Sequence, residues 1–432
     1  MVPSLADWRR LALVALVVFS AGIPTYREFF FSTGFEADMA TYAAAFDLVE
    51  AGRSPYENAG FLYPPAFAVV GAKVREHLTW RGFQFAFRSA NLAGVALLVW
   101  AALLGSPFGW RALALIAFAV TLSPLVANGV GCGNATPMLL GSVAAALRVA
   151  ERHPWLAGLV AGGANALKPL ALPALAAGVS ARGSRPWAWR FTAAAAAVGV
   201  SSLFLGSRYL PDMLSRVDGF PGAYFNLSFV RALGLLGIQL PPALVFIVVS
   251  GVGVLVARRF ATDARERLAV GLATALFALP VIGTSAFLFS LPIQVLAVEA
   301  LLRRRREPRA WVALALVPAV ILSINGAEGG VGADDFGPRL HGLVMLIPFF
   351  DVLALAAYAL MRRRSASADA EALLASNACE IVPSPASSPV SSSLWRSLDS
   401  ARSIHPPQTP PATISPPSAA KSPNATTKRC SA

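Results

Sequence analysis

Apolar runs of roughly 17 to 22 residues recur along residues 1–361, close to the ~20 residues a helix needs to cross a hydrocarbon core of about 30 Å. Segments such as 112–126 and 243–256 are apolar on every side instead of alternating with polar positions, so they exclude a β-barrel and predict helices. The expected crossings lie near 11–25, 83–104, 111–127, 134–149, 154–167, 169–181, 190–206, 238–257, 267–283, 287–302, 310–325 and 341–361. This pattern predicts an all-α polytopic membrane protein of about twelve transmembrane helices, its membrane domain spanning residues 1–361. From Ser365 the chain turns to Ser, Pro, Ala and Thr without periodicity, and residues 362–432 are expected to form a disordered tail.

Composition agrees: 56% hydrophobic residues, 14% charged and a mean hydropathy of +0.60 leave too little polar side chain to cover a water-facing exterior. The solvent is lipid. The first run follows Arg9 and Arg10 as in a signal peptide, but no small-x-small cleavage site succeeds it, so it reads as a retained helix. A net charge of +13 would suit nucleic acid, yet the arginines stand in short clusters between apolar runs and form no basic face. No nucleic-acid partner is expected; the positive-inside rule explains the clusters by placing them in the cytoplasm.

That placement demands an even number of crossings between consecutive clusters, from Arg9-Arg10 through Arg148/Arg152 and Arg265/Arg267 to 362–364. Parity then makes 64–78 a juxtamembrane helix, as do its Pro64-Pro65 start and its Lys73, Arg75, Glu76 and His77. Both termini are expected in the cytoplasm, and residues 26–82 become a first extracytoplasmic loop bearing juxtamembrane helices. Cys132, Cys379 and Cys430, like the four histidines, are scattered, so neither a metal site nor a cofactor is indicated. No internal repeat is visible, and Gly129-Val130-Gly131-Cys132-Gly133 follows no strand that would support a nucleotide-binding reading.

Candidate chemistry gathers on the outer side. Asp38 and Tyr42 are four residues apart, on one face of a helix that starts near Ala37, with Glu36 just before it. A carboxylate at this wet boundary can take the proton of an attacking sugar hydroxyl, or it can simply favour the helix dipole. Lys168 closes the apolar segment 158–167 and is followed by the helix-breaking Pro169, with Asn165 one turn away. Its two readings are a partner for a lipid-borne phosphate and a cation that snorkels to the interface. Asn226, Ser228 and Arg231 form a further polar patch that can bind sugar hydroxyls and phosphate, or anchor a loop. Gly158 and Gly162 have the spacing of close helix packing, while Arg88, Asn91 and Asp351 are polar groups within apolar spans.

These residues resemble the polyprenyl-phosphate-dependent glycosyltransferases of the GT-C membrane class, and most closely glycosyltransferase family 87. The likeness is carried by Asp38-x-x-x-Tyr42 with Gly52 and Pro55-Tyr56, then Tyr63-Pro64-Pro65, then Ala157-Gly158 through Lys168 and Pro169, then Asn226-x-Ser228 with Arg231. The resemblance implies a GT-C fold that moves a hexose, mannose in the first instance, from a polyprenyl phosphate to an extracytoplasmic glycolipid or glycan acceptor. It implies an inverting displacement with Asp38 as catalytic base and no required metal. Lys168 and Arg231 are assigned to the donor phosphate, and Glu36, Tyr42, Tyr63, Asn134, Asn165, Asn226 and Ser228 to substrate. Where the family often has Gly-Gln-x-Asn this chain reads Gly133-Asn134-Ala135-Thr136, and a Ser-Trp-x-His-type element is replaced by Gly283-Thr284-Ser285-Ala286-Phe287-Leu288. An arabinofuranosyltransferase of the same family, a transporter or flippase of envelope lipids, and a noncatalytic membrane subunit are the competing readings. The transporter class usually carries midplane acids, of which only Asp351 is a candidate.

Overall fold

A computed structural model of the chain describes residues 5–31, 37–58, 60–169, 171–181, 185–217, 228–235, 237–279 and 288–303. By its internal contacts the chain divides into Met1–Ala372 and Leu373–Ala432, and every described residue belongs to the first unit. The expected spans 310–325 and 341–361, Asp351, the 283–287 part of the second departing element and the tail from Ser365 lie outside the described residues.

All regular structure among the described residues is helical. The chain opens with α1 (Leu5–Thr25), α2 (Arg27–Phe31), α3 (Ala37–Glu50), α4 (Pro65–Arg75) and α5 (Trp80–Leu103). It continues with α6 (Trp110–Thr121), α7 (Pro124–Gly131), α8 (Thr136–Val149), α9 (Pro154–Leu167), α10 (Leu172–Ser180) and α11 (Arg185–Phe204). The last described helices are α12 (Leu210–Val217), α13 (Phe229–Leu235), α14 (Pro242–Phe260), α15 (Ala264–Ala278) and α16 (Leu291–Arg303). The segment 64–78, expected to form a juxtamembrane helix, holds the helix α4, and residues 26–82 also hold α2 and α3.

By length and hydropathy α5 and α14 suffice to cross a membrane, whereas α6 with α7 and α11 with α12 qualify only as pairs bent by 58° and 71°. The expected straight span 111–127 is therefore two helices, interrupted where Pro124 starts a new one. Helices α8, α9 and α10 have 14, 14 and 9 residues, shorter than the ~20 of a full straight crossing. Proline again supplies the reason: Pro169 divides α9 from α10, and Pro154 opens α9. Large apolar side chains point outward on several helices, among them Leu115 (68% exposed), Ile247 (67%) and Leu255 (65%). Such surfaces fit lipid as solvent.

The core closes through small residues. A Cβ on Gly94 of α5 would overlap the Pro137 carbonyl, and one on Gly141 of α8 would overlap Gly94 itself. Along the seam of α9 with α11, a Cβ on Gly158 would overlap the Phe191 carbonyl and one on Gly162 would lie 2.7 Å from the Ala195 carbonyl, so this pair mediates close packing as its spacing predicts.

The bundle has two chemically distinct ends. At one, Arg148 near the end of α8 donates to the Leu104 carbonyl at 2.6 Å, Arg265 of α15 pairs with the buried Glu299 of α16, and Arg267 pairs with Glu151. The other end of α8 carries Asn134 and Thr136, about 18 Å away at 1.5 Å per helical residue.

Candidate active site

Asp38 stands in the first turn of α3, half-buried, and its Oδ2 accepts a 2.8 Å hydrogen bond from Asn134 Nδ2. The two residues meet because the turn between α7 and α8 folds over α3. Gly133 in that turn has φ +77°, a left-handed conformation that suits glycine, and a Cβ there would overlap the Met39 side chain. Asn134 is itself locked: its Oδ1 accepts from the Thr136 backbone N–H at 3.0 Å and from Thr136 Oγ1 at 2.6 Å.

Lys168 arrives from the other side as the C-cap of α9. The following Pro169 disfavours helical backbone at Lys168, which is extended at φ −157°, ψ 112°. Its Nζ donates to Tyr63 Oη at 3.1 Å, Asn134 Oδ1 at 3.2 Å and Thr136 Oγ1 at 3.0 Å, and lies 4.6 Å from the centre of the Tyr63 ring. All three ammonium protons thus have protein acceptors. Tyr42 Oη donates to Tyr63 Oη, and Tyr56 Oη donates to the Tyr63 carbonyl at 2.6 Å. Beneath lies an aromatic floor in which Tyr42 packs against Phe67 and Phe87. One polar knot, Asp38–Asn134–Thr136–Lys168–Tyr63–Tyr42, therefore joins α3, the α7–α8 turn, the end of α9 and the segment before α4.

Burial pushes the Asp38 carboxyl above the usual carboxylate range, while the Lys168 ammonium and the Asn134 hydrogen bond pull it down. Burial also holds the Tyr42 and Tyr63 phenols above their ordinary value, so both serve as neutral hydroxyls. Asp38 Oδ1 has no protein partner among the described residues and remains open to accept a proton.

Of the sequence-predicted site residues, the structure gathers Asp38, Tyr42, Tyr63, Asn134 and Lys168. Asn165 does something else: its Oδ1 accepts from the Ala171 N–H at 3.1 Å and its Nδ2 donates to the Ala161 carbonyl at 2.9 Å, bracing the α9–α10 break. Ser228 is buried just before α13. Glu36, Asn226 and the side chain of Arg231 lie outside the described residues. Thr136 was not singled out for binding, although it occupies the last position of the Gly133-Asn134-Ala135-Thr136 element. Arg88 and Asn91 have a positioning role: Arg88 donates to the Phe29 and Val130 carbonyls, Asn91 Nδ2 to the Gly129 carbonyl at 3.5 Å, and the Met138 N–H to Asn91 Oδ1 at 3.1 Å. Together they clasp both sides of the turn that presents Asn134.

Comparison with known families adds a decisive observation: the model of glycosyltransferase family 87 matches residues 61–290, more than half of the 432 residues. The chain belongs to glycosyltransferase family 87. No curated protein and no solved structure matches it significantly. As a family 87 member it is a membrane glycosyltransferase, acting on a sugar donor and an acceptor at the bilayer. The matched segment includes Tyr63, Asn134, Thr136 and Lys168, while Asp38 precedes it and joins the site through the fold.

Proposed function

We propose that this family 87 enzyme moves mannose from polyprenyl phosphate mannose to an extracytoplasmic glycolipid or glycan acceptor, in one inverting displacement with Asp38 as general base. The acceptor hydroxyl proton passes to Asp38 Oδ1 as the hydroxyl oxygen attacks the anomeric carbon. The bond from that carbon to the phosphate oxygen breaks with its electron pair, and polyprenyl phosphate leaves as an anion. General-base assistance of this kind contributes about 10²–10⁴-fold. Lys168, the cation that lowers the Asp38 carboxyl, also faces the charge that develops on the leaving phosphate, where a preorganised cation helps most. Arg231 is the second phosphate ligand in this reading.

The observation that carries the proposal is the Asp38 carboxylate, held by Asn134 beside Lys168 with one oxygen open, at the end of the bundle away from the Arg148–Arg265–Arg267 cluster. Under the positive-inside rule that arginine end is cytoplasmic and the Asp38 end is extracytoplasmic. The test is transfer of labelled mannose from polyprenyl phosphate mannose to membrane lipids or glycans by the purified protein, beside Asp38→Asn. Transfer that collapses in the variant, with donor binding intact, supports both base and donor. Equal transfer by both removes Asp38 from the mechanism, and transfer only from an arabinofuranosyl donor replaces mannose.

A further inference from the structure

A cavity of about 460 Å³ opens away from the Asp38 knot, between the C-terminal end of α3, the second half of α4 and the break between α11 and α12. Its volume falls within the roughly 300–1,000 Å³ of small-molecule sites. Gly206 shapes the wall: at φ +79° it presses against α4, where a Cβ would lie 3.0 Å from both Pro65 and Val69 side chains. Glu50 stands at the end of α3, twelve residues after Asp38, so the cavity lies about 18 Å from the base at 1.5 Å per residue. It cannot hold the reacting hydroxyl.

The lining indicates what it can hold. Its charged groups balance: Glu50 and Glu76 against Lys73 and Arg208, with Lys73 donating to Glu76 at 2.6 Å and Arg208 stacked 4.5 Å from the Tyr209 ring centre. A phosphate site would carry surplus cation; this one does not. The side chains of Glu50 and Ser207 have no partner among the described residues and can bond hydroxyls, while Phe204 and Tyr209 add aromatic surface. Exposed apolar side chains stand on the helices that border the opening, Val70 and Val74 on α4, and Val200, Leu203 and the 77% exposed Phe204 on α11. The ligand therefore approaches along lipid with a neutral, hydroxyl-rich head.

We propose that this groove seats the lipid-proximal sugars of the acceptor, which is a glycolipid with a head of several sugar rings whose far hydroxyl reaches Asp38. The inference rests on the transferase reading above and narrows its acceptor to a membrane-anchored oligosaccharide.

The test uses the full chain in a sugar-free detergent and octyl mannotrioside carrying a diazirine in its alkyl tail. Photolabelling is expected on peptides covering 49–50, 69–76 and 204–209, with protection by unlabelled octyl mannotrioside. Losing two hydroxyl contacts to charged groups in Glu50→Gln/Arg208→Ala, both exposed positions, should lower probe affinity about tenfold or more, while the control Leu115→Ala, an exposed apolar position on α6 outside the groove, leaves it unchanged. Labelling elsewhere, or labelling indifferent to the competitor and to the double variant, overturns the groove. The same acceptor with one ring or three, assayed for transfer, separates the two proposals. A lower KM for three rings that the double variant abolishes supports the groove, and transfer without length preference refutes it while leaving the base intact. Specific labelling without transfer from any polyprenyl phosphate sugar upholds the groove and defeats the catalytic reading.

Discussion

Replacing Asn134 by leucine removes the donor that holds Asp38 Oδ2 at 2.8 Å, together with an acceptor for Lys168 and for Thr136. Hydrogen bonds to charged groups contribute about 1.5–3 kcal/mol, so if the orientation of Asp38 limits transfer, kcat/KM near neutral pH falls about 10- to 150-fold. The loss is pH-dependent. In the wild type, burial raises the Asp38 carboxyl and the Asn134 bond opposes that rise, so the acid limb of kcat/KM lies above the ordinary aspartate range of about 4. Without Asn134 the limb moves to higher pH, and part of the lost rate returns as the medium becomes alkaline. The assay is labelled sugar transfer across pH for both proteins, with thermal unfolding to show that the variant is folded. A loss equal at every pH refutes the ionisation argument, and rates within about twofold of wild type at all pH values refute the knot as the device that prepares Asp38.

Asp38→Asn should abolish transfer yet unfold at the same or a higher temperature at neutral pH. A carboxyl raised in the fold costs stability above its folded pKa, a cost relieved as pH falls and absent from the amide; a marked drop in Tm would make Asp38 structural. Glu299→Gln leaves the 13% exposed Arg265 without its charge partner and should destabilise the protein by about 3–5 kcal/mol, read as a lower unfolding temperature with the transfer rate per folded molecule unchanged. Gly94→Val forces a side chain into the Pro137 carbonyl and to within 2.7 Å of the Met138 N–H, separating α5 from α8 at the cost of about 1–3 kcal/mol or more; unchanged thermal unfolding would contradict the packing described.

Local pattern alone reaches the helices and several of their junctions. Continuous apolar runs can satisfy their backbone in lipid only as helices, and Pro64-Pro65 and Pro169 dictate where α4 begins and α9 ends. Gly158 and Gly162 reveal a packing seam by spacing alone, and Asp38, Tyr42, Tyr63 and Lys168 stand out as polar residues in motif blocks of an apolar chain. What spacing does not reveal is which of them meet. Asp38 and Asn134 are 96 residues apart and Lys168 and Tyr63 are 105, and no helical or turn periodicity links such positions. The bends of α6–α7 and α11–α12 likewise escape a hydropathy profile, which averages across a break. Asn165 and Arg88 show the same limit from the other direction: each is a polar group in an apolar run, and only their hydrogen bonds assign them to bracing a helix break and clasping a turn. Sequence determines that a polar group in lipid must find partners, because leaving it unpaired is costly; tertiary structure decides which partners it finds, and so whether it holds a helix in place or prepares a base.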